Sequence, residues 1–410
     1  MFERLGDEIT VIDYLDFEDT CNRLILNCDI LVDAVFGTGL NRAPDNITRR
    51  LFETMNESSA TTFSIDIPSG IACDTGEIKT ACVKADYTVT FEALKPCHLL
   101  PSSNEFCGKT VAVKIGISER IMEDLPFIAK TISTPALKPR RKNDHKGSFG
   151  TGLSVCGSYG MPGAAVIAAK AALRSGIGLL KMVCVKENYQ IFATNVPEAV
   201  LLTLKGNDGK FALGEINLLK EHLEKSTALL IGCGIGLSHD NREIIKELIS
   251  ATSVPMIIDA DGINCIAPCI DIIKQAKAPI VLTPHIKEMS RLCGKNTEEI
   301  ESSRFETARE FASRYQVYLV LKGSNTVVSE PDSKRTYVNA SGNNGLSKGG
   351  SGDVLSGIIL SLLGQGLSPM EAAAAGAWLH GAAGDLAAER VGEYGMLPGD
   401  LVEELPRLLK

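Results

Sequence analysis

The chain has 410 residues, of which 44% are hydrophobic and 22% charged, with 38 glycines and one tryptophan. This composition is typical of a soluble α/β protein with two or three domains and a mainly aliphatic core. A net charge of −8 argues against nucleic acid or an anionic membrane as the main partner. No apolar stretch is long enough to span a membrane and no signal-peptide pattern opens the chain, so we expect a cytoplasmic protein.

The 12 cysteines are scattered singly along the chain, as is typical of reduced, buried thiols in the cytosol. Cys265 and Cys269 lie four positions apart, but no second pair and no nearby histidine completes a set of zinc ligands. The pattern therefore favours free thiols over a structural zinc site.

Residues 1–125 alternate short apolar runs with a helical pattern. The runs at 29–36, 61–68, 87–91 and 110–115 predict parallel strands, and residues 47–55 have helical spacing. Ligand sites in such sheets are expected at the carboxyl ends of the strands. Asp33 and Asp66 lie near two of these ends, each just before a glycine-containing turn. They either cap the turns or form a polar ligand site.

These motifs resemble the epimerase domain of bifunctional NAD(P)H-hydrate repair enzymes. The resemblance is carried by Val-Asp-Ala-Val-Phe-Gly-Thr-Gly-Leu at 32–40, Ser-Ile-Asp-Ile-Pro-Ser-Gly at 64–70, Asp-Thr-Gly at 74–76, Asp-Tyr-Thr-Val-Thr-Phe at 86–91 and Lys-Pro at 95–96. It implies that Asp33 and Ser69 help to hold a K⁺ ion. It also implies that Asp66 and one loop contact the hydrated nicotinamide nucleotide; the loop residues are Gly37, Thr38, Gly39, Leu40, Asn41 and Arg42.

One part of the family's pattern is missing from this region. The family's Asn-Asn-Gly-Gly-Asp-Gly loop, which binds substrate and K⁺, has no counterpart in residues 1–125. The first strand–helix units of its Rossmann-like sheet are also absent. The resemblance therefore predicts a partial, N-terminally truncated epimerase domain that is inactive by itself.

Residues 126–144 separate this region from the rest of the chain. Two prolines and a basic cluster at 140–142 lie within residues 133–142. This composition favours an exposed linker, with contact between the cluster and nucleotide phosphates as the alternative.

From residue 145 to residue 410 the α/β pattern restarts. Short apolar runs predict buried strands at 151–157, 179–185, 228–231, 256–259, 280–283 and 318–321. Helical patterns occupy 163–173, 242–250, 297–314, 354–363 and 372–390. Together they predict one large doubly wound domain.

Polar or glycine-rich motifs follow most of these strands. The glycines at 232–236 let the backbone approach a ligand closely, and the turn at 322–326 suits nucleotide phosphates. Asp259 and Asp261 either hold a divalent cation through water or cap loops. His285 is either a polar packing residue or part of a site. Because so many loops converge on one sheet edge, we predict a binding site there.

The densest motif is the glycine-rich stretch at 343–357. Four glycines and two serines lie within 345–352, directly before the helical run. The N–H groups and the positive end of the helix dipole suit a phosphate. We expect Asp353 to be held ionised there and to take a proton from a substrate hydroxyl. The alternative is that Asp353 is a simple helix N-cap.

In order along the chain, these motifs resemble the ribokinase-like NAD(P)H-hydrate dehydratase domain. The resemblance covers residues 140–410, and its segments are His-Lys-Gly at 145–147, Gly-Ala-Ala at 163–165, Arg-Ser-Gly-Ile-Gly at 174–178, the glycines at 232–236, Asp-Ala-Asp at 259–261, Leu-Thr-Pro-His at 282–285, Leu-Lys-Gly at 321–323, Gly-Gly-Ser-Gly-Asp at 349–353 and His-Gly at 380–381. One departure is Cys233, where the family usually has proline. The fold implied is a ribokinase-like doubly wound domain preceded by a partial Rossmann-like domain.

The resemblance also implies roles for single residues. Ala164, Gly236, His285 and Asp353 would contact the hydrated dinucleotide. The adenine nucleotide would be held, with Mg²⁺ serving its phosphates, by Lys322, Gly323, Ser324, Asn325, Thr326 and Gly352. The implied reaction is ADP-dependent dehydration of (S)-NAD(P)H-hydrate to NAD(P)H, with release of AMP and phosphate. The resemblance also implies a homo-oligomer, and we expect a tetramer.

Two other functions remain open. A kinase for a vitamin precursor or a sugar shares the fold and the Gly-Ser-Gly-Asp loop, although the segments at 145–147, 259–261 and 283–285 favour the dehydratase. A nucleotide-binding scaffold without catalysis is the second alternative. The presence of both Asp353 and Lys322 argues against it.

Overall fold

A computed structural model describes residues 9–40, 42–118, 120–121, 129–132 and 139–409. The chain divides into two units, Met1–Pro126 and Phe127–Lys410. Part of the stretch predicted as linker belongs to the second unit, because Lys130–Thr131 forms a strand that pairs with Tyr337 and Val338. The linker prediction is wrong for these two residues, since strand pairing rather than local composition decides their structure.

The first unit is built on a sheet of four parallel strands that lie side by side in chain order. The strands are β1 (Ile30–Asp33), β2 (Thr61–Ile65), β3 (Tyr87–Phe91) and β4 (Lys109–Val113). Helix α1 (Glu18–Asn27) precedes β1, and α2 (Asn46–Glu57) follows it. The amphipathic spacing of α2 buries Phe52 and Met55, which pack with Val83. The prediction of parallel strands is confirmed, although β1 and β2 end three residues earlier than predicted.

The second unit contains a sheet of ten strands in the order β5-β14-β13-β12-β11-β10-β9-β6-β7-β8. Most neighbours are parallel; β13 is antiparallel to both of its partners. After β5 (Lys130–Thr131), the strands are β6 (Thr151–Val155), β7 (Leu179–Val185), β8 (Val200–Leu204), β9 (Ala228–Ile231), β10 (Met256–Ile258), β11 (Ile280–Leu282), β12 (Tyr318–Leu321), β13 (Thr326–Ser329) and β14 (Thr336–Asn339).

Helices connect most of these strands and cover the sheet. They are α3 (Pro162–Arg174), α4 (Tyr189–Asn195), α5 (Ile216–Glu224), α6 (His239–Ala251), α7 (Asp261–Ile266), α8 (Ile286–Cys293), α9 (Thr297–Ser302), α10 (Arg304–Tyr315), α11 (Ser351–Gly364), α12 (Pro369–Gly395) and α13 (Pro398–Leu408). The single helix predicted at 297–314 is two helices, because the backbone leaves the helical region at Ser303. In the described parts of the chain, no helix combines the length and apolar character needed to cross a bilayer.

Helix α11 is the most deeply buried helix at the site, and 12 of its 14 residues are buried. It packs closely on α3, because a side chain at Gly357 would meet Cβ of Ala171 at 2.9 Å and overlap the carbonyl of Ala168. The helix begins at Ser351, three residues before the predicted start at Val354. The prediction missed this turn because serine and glycine carry no apolar periodicity. Asp353 therefore lies inside its first turn.

Candidate active site

The loops that follow the strands of the large sheet are joined by direct hydrogen bonds. The amide of Gly157 donates to the carbonyl of Cys233 at 2.9 Å, and Ser158 N donates to Gly234 O at 2.8 Å. Lys322 N donates to Pro284 O, also at 2.8 Å. The predicted convergence of polar motifs on one sheet edge is therefore present in the structure.

Among the described residues the start of α11 has no side-chain cap, although the amide of Ser351 donates to Lys348 O at 3.2 Å. Gly350 is the N-cap residue, with φ of +95°, and no described side chain caps it. The alternative assignment of Asp353 as N-cap is wrong, because this residue is the third of the helix. The ring of His380 fixes the first turn, since its Nε2 lies 3.0 Å from both Oγ and O of Ser351. Burial lowers the pKa of His380 to about 4, so the ring is neutral.

Asp353 lies in a crowded, partly anionic environment. Its carboxylate, the carboxylate of Asp259 and Sγ of Cys233 have ligand atoms within 4.8 Å of one another. Burial raises the pKa of Asp353 to about 7, and the charge of Asp259 adds to the rise. Burial and the second carboxylate therefore oppose the ionisation of Asp353 that the helix end was expected to favour.

A buried ion pair lies directly beneath the glycine-rich loop. Nζ of Lys322 is 2.8 Å from Oδ1 of Asp259, whose Oδ2 accepts a hydrogen bond from Ser356 Oγ at 2.7 Å. Burial disfavours both charges, yet their attraction holds the pKa of Asp259 below its ordinary value and raises that of Lys322. A side chain at Gly352 would lie 3.2 Å from the lysine nitrogen. The ammonium therefore adjoins the uncapped helix start.

The turn at 322–326 is held by Arg304, a residue that sequence reasoning missed. Its side chain is 2% exposed and pairs with Glu301 at 2.9 Å. It also donates to the carbonyl of Lys322 at 3.1 Å, and its guanidinium fills the space that a side chain at Gly323 would need. Ser324 is exposed, Asn325 is buried, and Thr326 Oγ1 donates to Gly323 O at 3.3 Å. An arginine within a helical pattern gives no signal of such a role.

His285 is the N-cap residue of α8, and about half of its side chain is exposed. Nδ1 accepts hydrogen bonds from the amides of Lys287 and Glu288, which caps α8. Nε2 therefore carries the proton and lies 3.4 Å from a carboxylate oxygen of Glu288. Burial lowers the pKa of His285 and raises that of Glu288. Both interpretations of this histidine are compatible with its position, since the side chain is 48% exposed.

Ala164 lies in the first turn of α3, and Gly236 lies in the loop that follows β9. A side chain at Gly234 would meet Cβ of Ala164 at 3.0 Å, so the start of α3 packs against the glycine motif. Gly236 has φ of +75°, and its amide donates to Asp261 Oδ2 at 2.8 Å. Asp259 and Asp261 were expected either to hold a divalent cation or to cap loops. These contacts favour the second assignment, because Asp261 accepts from a loop amide and Asp259 pairs with Lys322.

In the first unit, Asp33 and Ser69 lie together at the end of β1. The carboxylate of Asp33 is fully buried and accepts hydrogen bonds from Ser69 Oγ at 2.5 Å, and from Ser69 N and Ser64 Oγ at 2.8 Å. Val35 N also donates to it at 3.3 Å. The carboxylate thus caps the turn after β1 and presents its oxygens beside a serine hydroxyl.

Asp66 is held by a separate network. Its Oδ1 accepts from Phe91 N at 2.9 Å, from Thr90 Oγ1 at 3.0 Å and from the ammonium of Lys95. Burial opposes ionisation, but these donors hold the pKa of Asp66 below its ordinary value. His98 bridges the amide of Lys95 and the carbonyl of Asp66, which has φ of +68°. His98 lay outside the sequence predictions, because a lone histidine carries no distinguishing pattern.

The predicted nucleotide loop of the first unit is open to solvent. Gly37, Thr38 and Gly39 are exposed, and a side chain at either glycine would meet no atom within 4 Å. Leu40 N donates to Gly37 O at 3.4 Å, which closes a turn. Arg42 is exposed, and Asn41 lies outside the described residues. The loop therefore has free space beside it.

Two family models match the chain. One, described as NAD(P)H-hydrate dehydratase, matches residues 153–407, and the other, described as YjeF-related protein N-terminus, matches residues 1–97. Because the second model matches the first unit, the predicted loss of epimerase activity has no support from the comparisons.

Curated relatives match over nearly the whole chain. The bifunctional NAD(P)H-hydrate repair enzyme of Thermofilum pendens is 37% identical over 408 residues, which are 99% of this chain and 78% of the relative. The enzyme of the same name from Escherichia coli is 36% identical over 384 residues, covering 93% of this chain and 72% of the relative.

Solved structures match about two thirds of the chain. The ADP/ATP-dependent NAD(P)H-hydrate dehydratase of Bacillus subtilis, co-crystallised with ATP/Mg²⁺, is 31% identical with a TM-score of 0.57, and the match covers 66% of this chain and 93% of that chain. A ribokinase-like superfamily protein of Enterococcus faecalis gives a TM-score of 0.60 at 25% identity, covering 70% and 97%. These matches confirm the ribokinase-like fold. The chain therefore belongs to the family of bifunctional NAD(P)H-hydrate repair enzymes.

Proposed function

We propose that the second unit dehydrates (S)-NAD(P)H-hydrate at the expense of ADP, giving NAD(P)H, AMP and phosphate. The observation that carries this proposal is Asp353, whose carboxyl pKa is about 7 at the uncapped start of α11. A base with a pKa near the working pH combines a useful ionised fraction with a strong pull on the proton. The neighbouring Lys322 supplies positive charge for phosphates.

The chemistry must convert a poor leaving group into a good one, because hydroxide leaves the hydrated ring slowly. Asp353 takes the proton of the ring hydroxyl, whose oxygen attacks the terminal phosphorus of ADP and displaces AMP. The lone pair of the ring nitrogen then expels phosphate, and loss of a proton from the adjacent ring carbon restores the reduced nicotinamide. The N–H groups at the start of α11 stabilise the negative charge on the transferred phosphoryl group.

Mg²⁺ fits this arrangement as a partner of the nucleotide. The first turn of α11, which no described side chain caps, and the ammonium of Lys322, which is paired with Asp259, offer N–H donors to the phosphates. When bound with the nucleotide, Mg²⁺ neutralises further phosphate charge. The Bacillus subtilis relative was co-crystallised with ATP/Mg²⁺, which supports the same nucleotide class for this chain.

For the first unit, we propose that Asp33 and Ser69 contribute oxygens to a K⁺ site. The contact of 2.5 Å between Asp33 Oδ1 and Ser69 Oγ supports this, because it gathers two hard oxygen donors at one point. We propose that Asp66 and the open loop at 37–42 contact the hydrated nucleotide. The free cysteines support a reducing, cytoplasmic location, and the family resemblance supports a homo-oligomer.

The test is to mix the protein with hydrated NADH, ADP and Mg²⁺ and to follow the near-ultraviolet absorbance of reduced nicotinamide. Recovery of NADH, with AMP and phosphate formed in equal amounts, is the expected result. A stable phosphate ester on another alcohol, with no NADH, would instead identify a small-molecule kinase. With K⁺ present and both hydrate epimers supplied, complete consumption shows epimerase activity, whereas consumption of the S epimer alone shows none.

A further inference from the structure

A cleft of about 380 Å³ lies at the amino ends of the strands of the large sheet, on the opposite edge from Asp353. Phe149 lies two residues before β6 begins, and Gln365 directly follows the last residue of α11. Because α11 has 14 residues, it separates the cleft from Asp353 by about 21 Å. The volume is typical of a small-molecule site. The lining includes Arg141, Asp144, Ser148, Phe149, Gln365 and Leu367.

Two sequence motifs that have no part in the proposed function meet at this cleft. The basic cluster at 140–142 supplies Arg141, whose amide donates to Asp144 Oδ2 at 2.7 Å; the amide of Asp144 donates back to Arg141 O at 3.0 Å. The His-Lys-Gly segment at 145–147 leads into Ser148, whose Oγ accepts from His145 N at 3.3 Å. Both motifs therefore form hydrogen-bonded turns that fix the backbone beside the cleft.

The polar side chains of the cleft keep hydrogen-bonding groups for a ligand. Among the described residues, no acceptor contacts the guanidinium of Arg141. The hydroxyl of Ser148 accepts within its turn and still has a proton to donate. Gln365 Nε2 donates to Ser175 O at 2.9 Å and to Ser361 Oγ at 3.0 Å, which fixes the carboxamide and leaves its Oε1 as an acceptor.

Phe149 and Leu367 give the cleft its apolar part. The guanidinium of Arg140 lies 4.0 Å from the centroid of the Phe149 ring and donates to Gly176 O at 2.6 Å, so it holds the ring in place. A side chain at Gly150 would lie 1.8 Å from Gly364 O, so the chain before β6 packs directly on the end of α11. The two sides of the cleft are therefore in fixed positions.

We propose that this cleft binds a mononucleotide, at a site separate from the turn at 322–326. The phosphate pairs with Arg141 and Ser148, and the ribose hydroxyls donate to Asp144. The base lies against Phe149 and Leu367, and Gln365 Oε1 accepts from an amino group on it. A simple anion would leave the apolar part uncovered, whereas an uncharged ring would leave the guanidinium unpaired. A mononucleotide satisfies both.

Amide NMR of the whole ¹⁵N-labelled chain tests the proposal, with AMP as the probe. The amide signals of Ser148, Phe149 and Leu367 are expected to shift in a saturable way as AMP is added. The amide of Gly352 reports separately on any AMP at the proposed active site, so the outcome does not depend on the dehydratase reaction. Adenosine lacks the phosphate and inorganic phosphate lacks the ring, so each is expected to bind at least about tenfold more weakly.

Arg141→Gln identifies the group that holds the phosphate. The Kd for AMP at the cleft signals is expected to rise about 10–100-fold, because one charge-assisted contact is lost. Lys142→Gln is the matched control, since it removes the same charge from the next residue, which does not line the cleft. Its Kd is expected to change by less than about twofold, because an exposed charge beside the site is screened.

Three results would overturn the proposal. One is the absence of a saturable shift at the cleft signals up to about 5 mM AMP. Another is equal weakening in the two variants, which would show a nonspecific attraction to the basic cluster. The third is equal affinity for AMP and inorganic phosphate, which would show a site for simple anions only.

Discussion

Each unit places a carboxylate at a sheet edge, and the two carboxylates have opposite surroundings. Asp66 accepts hydrogen bonds from a backbone amide, a threonine and Lys95, and its pKa is lowered. Asp353 lies near Cys233 and a second carboxylate, and its pKa is raised to about 7. Burial raises the pKa of both carboxyls, so the hydrogen-bond donors and charges around each one decide the difference between the two pKa values.

The position of the lysine in each unit explains this contrast. In the first unit Lys95 contacts the predicted substrate residue itself, which therefore stays a fixed anion suited to binding. In the second unit Lys322 pairs with Asp259 instead and leaves Asp353 without a strong donor. Because Lys322 pairs with Asp259, the pKa of Asp353 stays high enough for this carboxylate to act as a base.

The largest effect is expected from Asp353→Asn. Loss of the base should lower the dehydration rate by about 10²–10⁴-fold, while ADP binding is retained. Because the folded state holds this carboxyl at a pKa of about 7, above its unfolded value, its ionisation costs stability as the pH rises from about 4, and the cost is complete above about pH 7. The variant should therefore melt a few degrees higher at pH 8, measured by calorimetry. Full activity in a folded variant would falsify the role of Asp353.

Lys322→Met should cause the largest loss of stability. It leaves Asp259 charged and buried without a partner, a change that costs about 3–5 kcal/mol of unfolding free energy. Urea unfolding measures this cost. Lys295→Met is the control, because its pair with Glu310 is 39% and 68% exposed. Such a pair contributes about 0–1 kcal/mol. Equal effects of the two variants would show that the Lys322 pair is not desolvated.

Lys95→Met tests the contribution of Lys95 to the lowered pKa of Asp66 in the first unit. The pKa of Asp66 is lowered in the folded state, so the pair stabilises the protein above the unfolded pKa and this contribution is lost as the pH falls. The variant should lose about 1 kcal/mol at pH 7, since the pair keeps some contact with solvent. The difference from the wild-type protein should shrink below pH 4. A constant difference across this range would contradict the assignment.

The smallest effect is expected at Cys233, whose thiol donates to Asp259 Oδ2 at 3.9 Å, lies beside Asp353 and lowers the pKa of Asp353. Cys233→Ala removes this donor, so the acidic limb of kcat/KM should move to higher pH. Cys233→Ser keeps a donor and should leave the limb nearly in place. Identical profiles for the two variants would show that the thiol does not act on Asp353.

Much of the fold was predictable from local pattern. The central strands are continuous apolar runs, and β3, β7, β9 and β12 begin and end where their runs do. Strands β5, β8, β13 and β14 were missed, although the residues of β8 and β13 are mainly apolar or β-branched. Strand β5 has only two residues and is defined by its pairing with β14, which no local pattern indicates.

The sequence predicted which loops form the site, but not which charged groups of the site contact one another. The helix dipole at Asp353 is visible in the sequence, whereas Asp259 lies 94 positions away and meets it only through the fold. Arg304 likewise reaches the turn at 322–326 from another element. Local sequence indicates which groups are present, and tertiary contacts decide which of them are paired.

The most direct test of the central claim is a titration of Asp353 by ¹³C carboxyl NMR, in which the spectrum of Asp353→Asn is subtracted at each pH. The structure predicts a single aspartate signal that titrates with a midpoint near pH 7 in the wild-type protein. A midpoint at or below the ordinary aspartate value, about 4, would contradict the claim that Asp353 is the base.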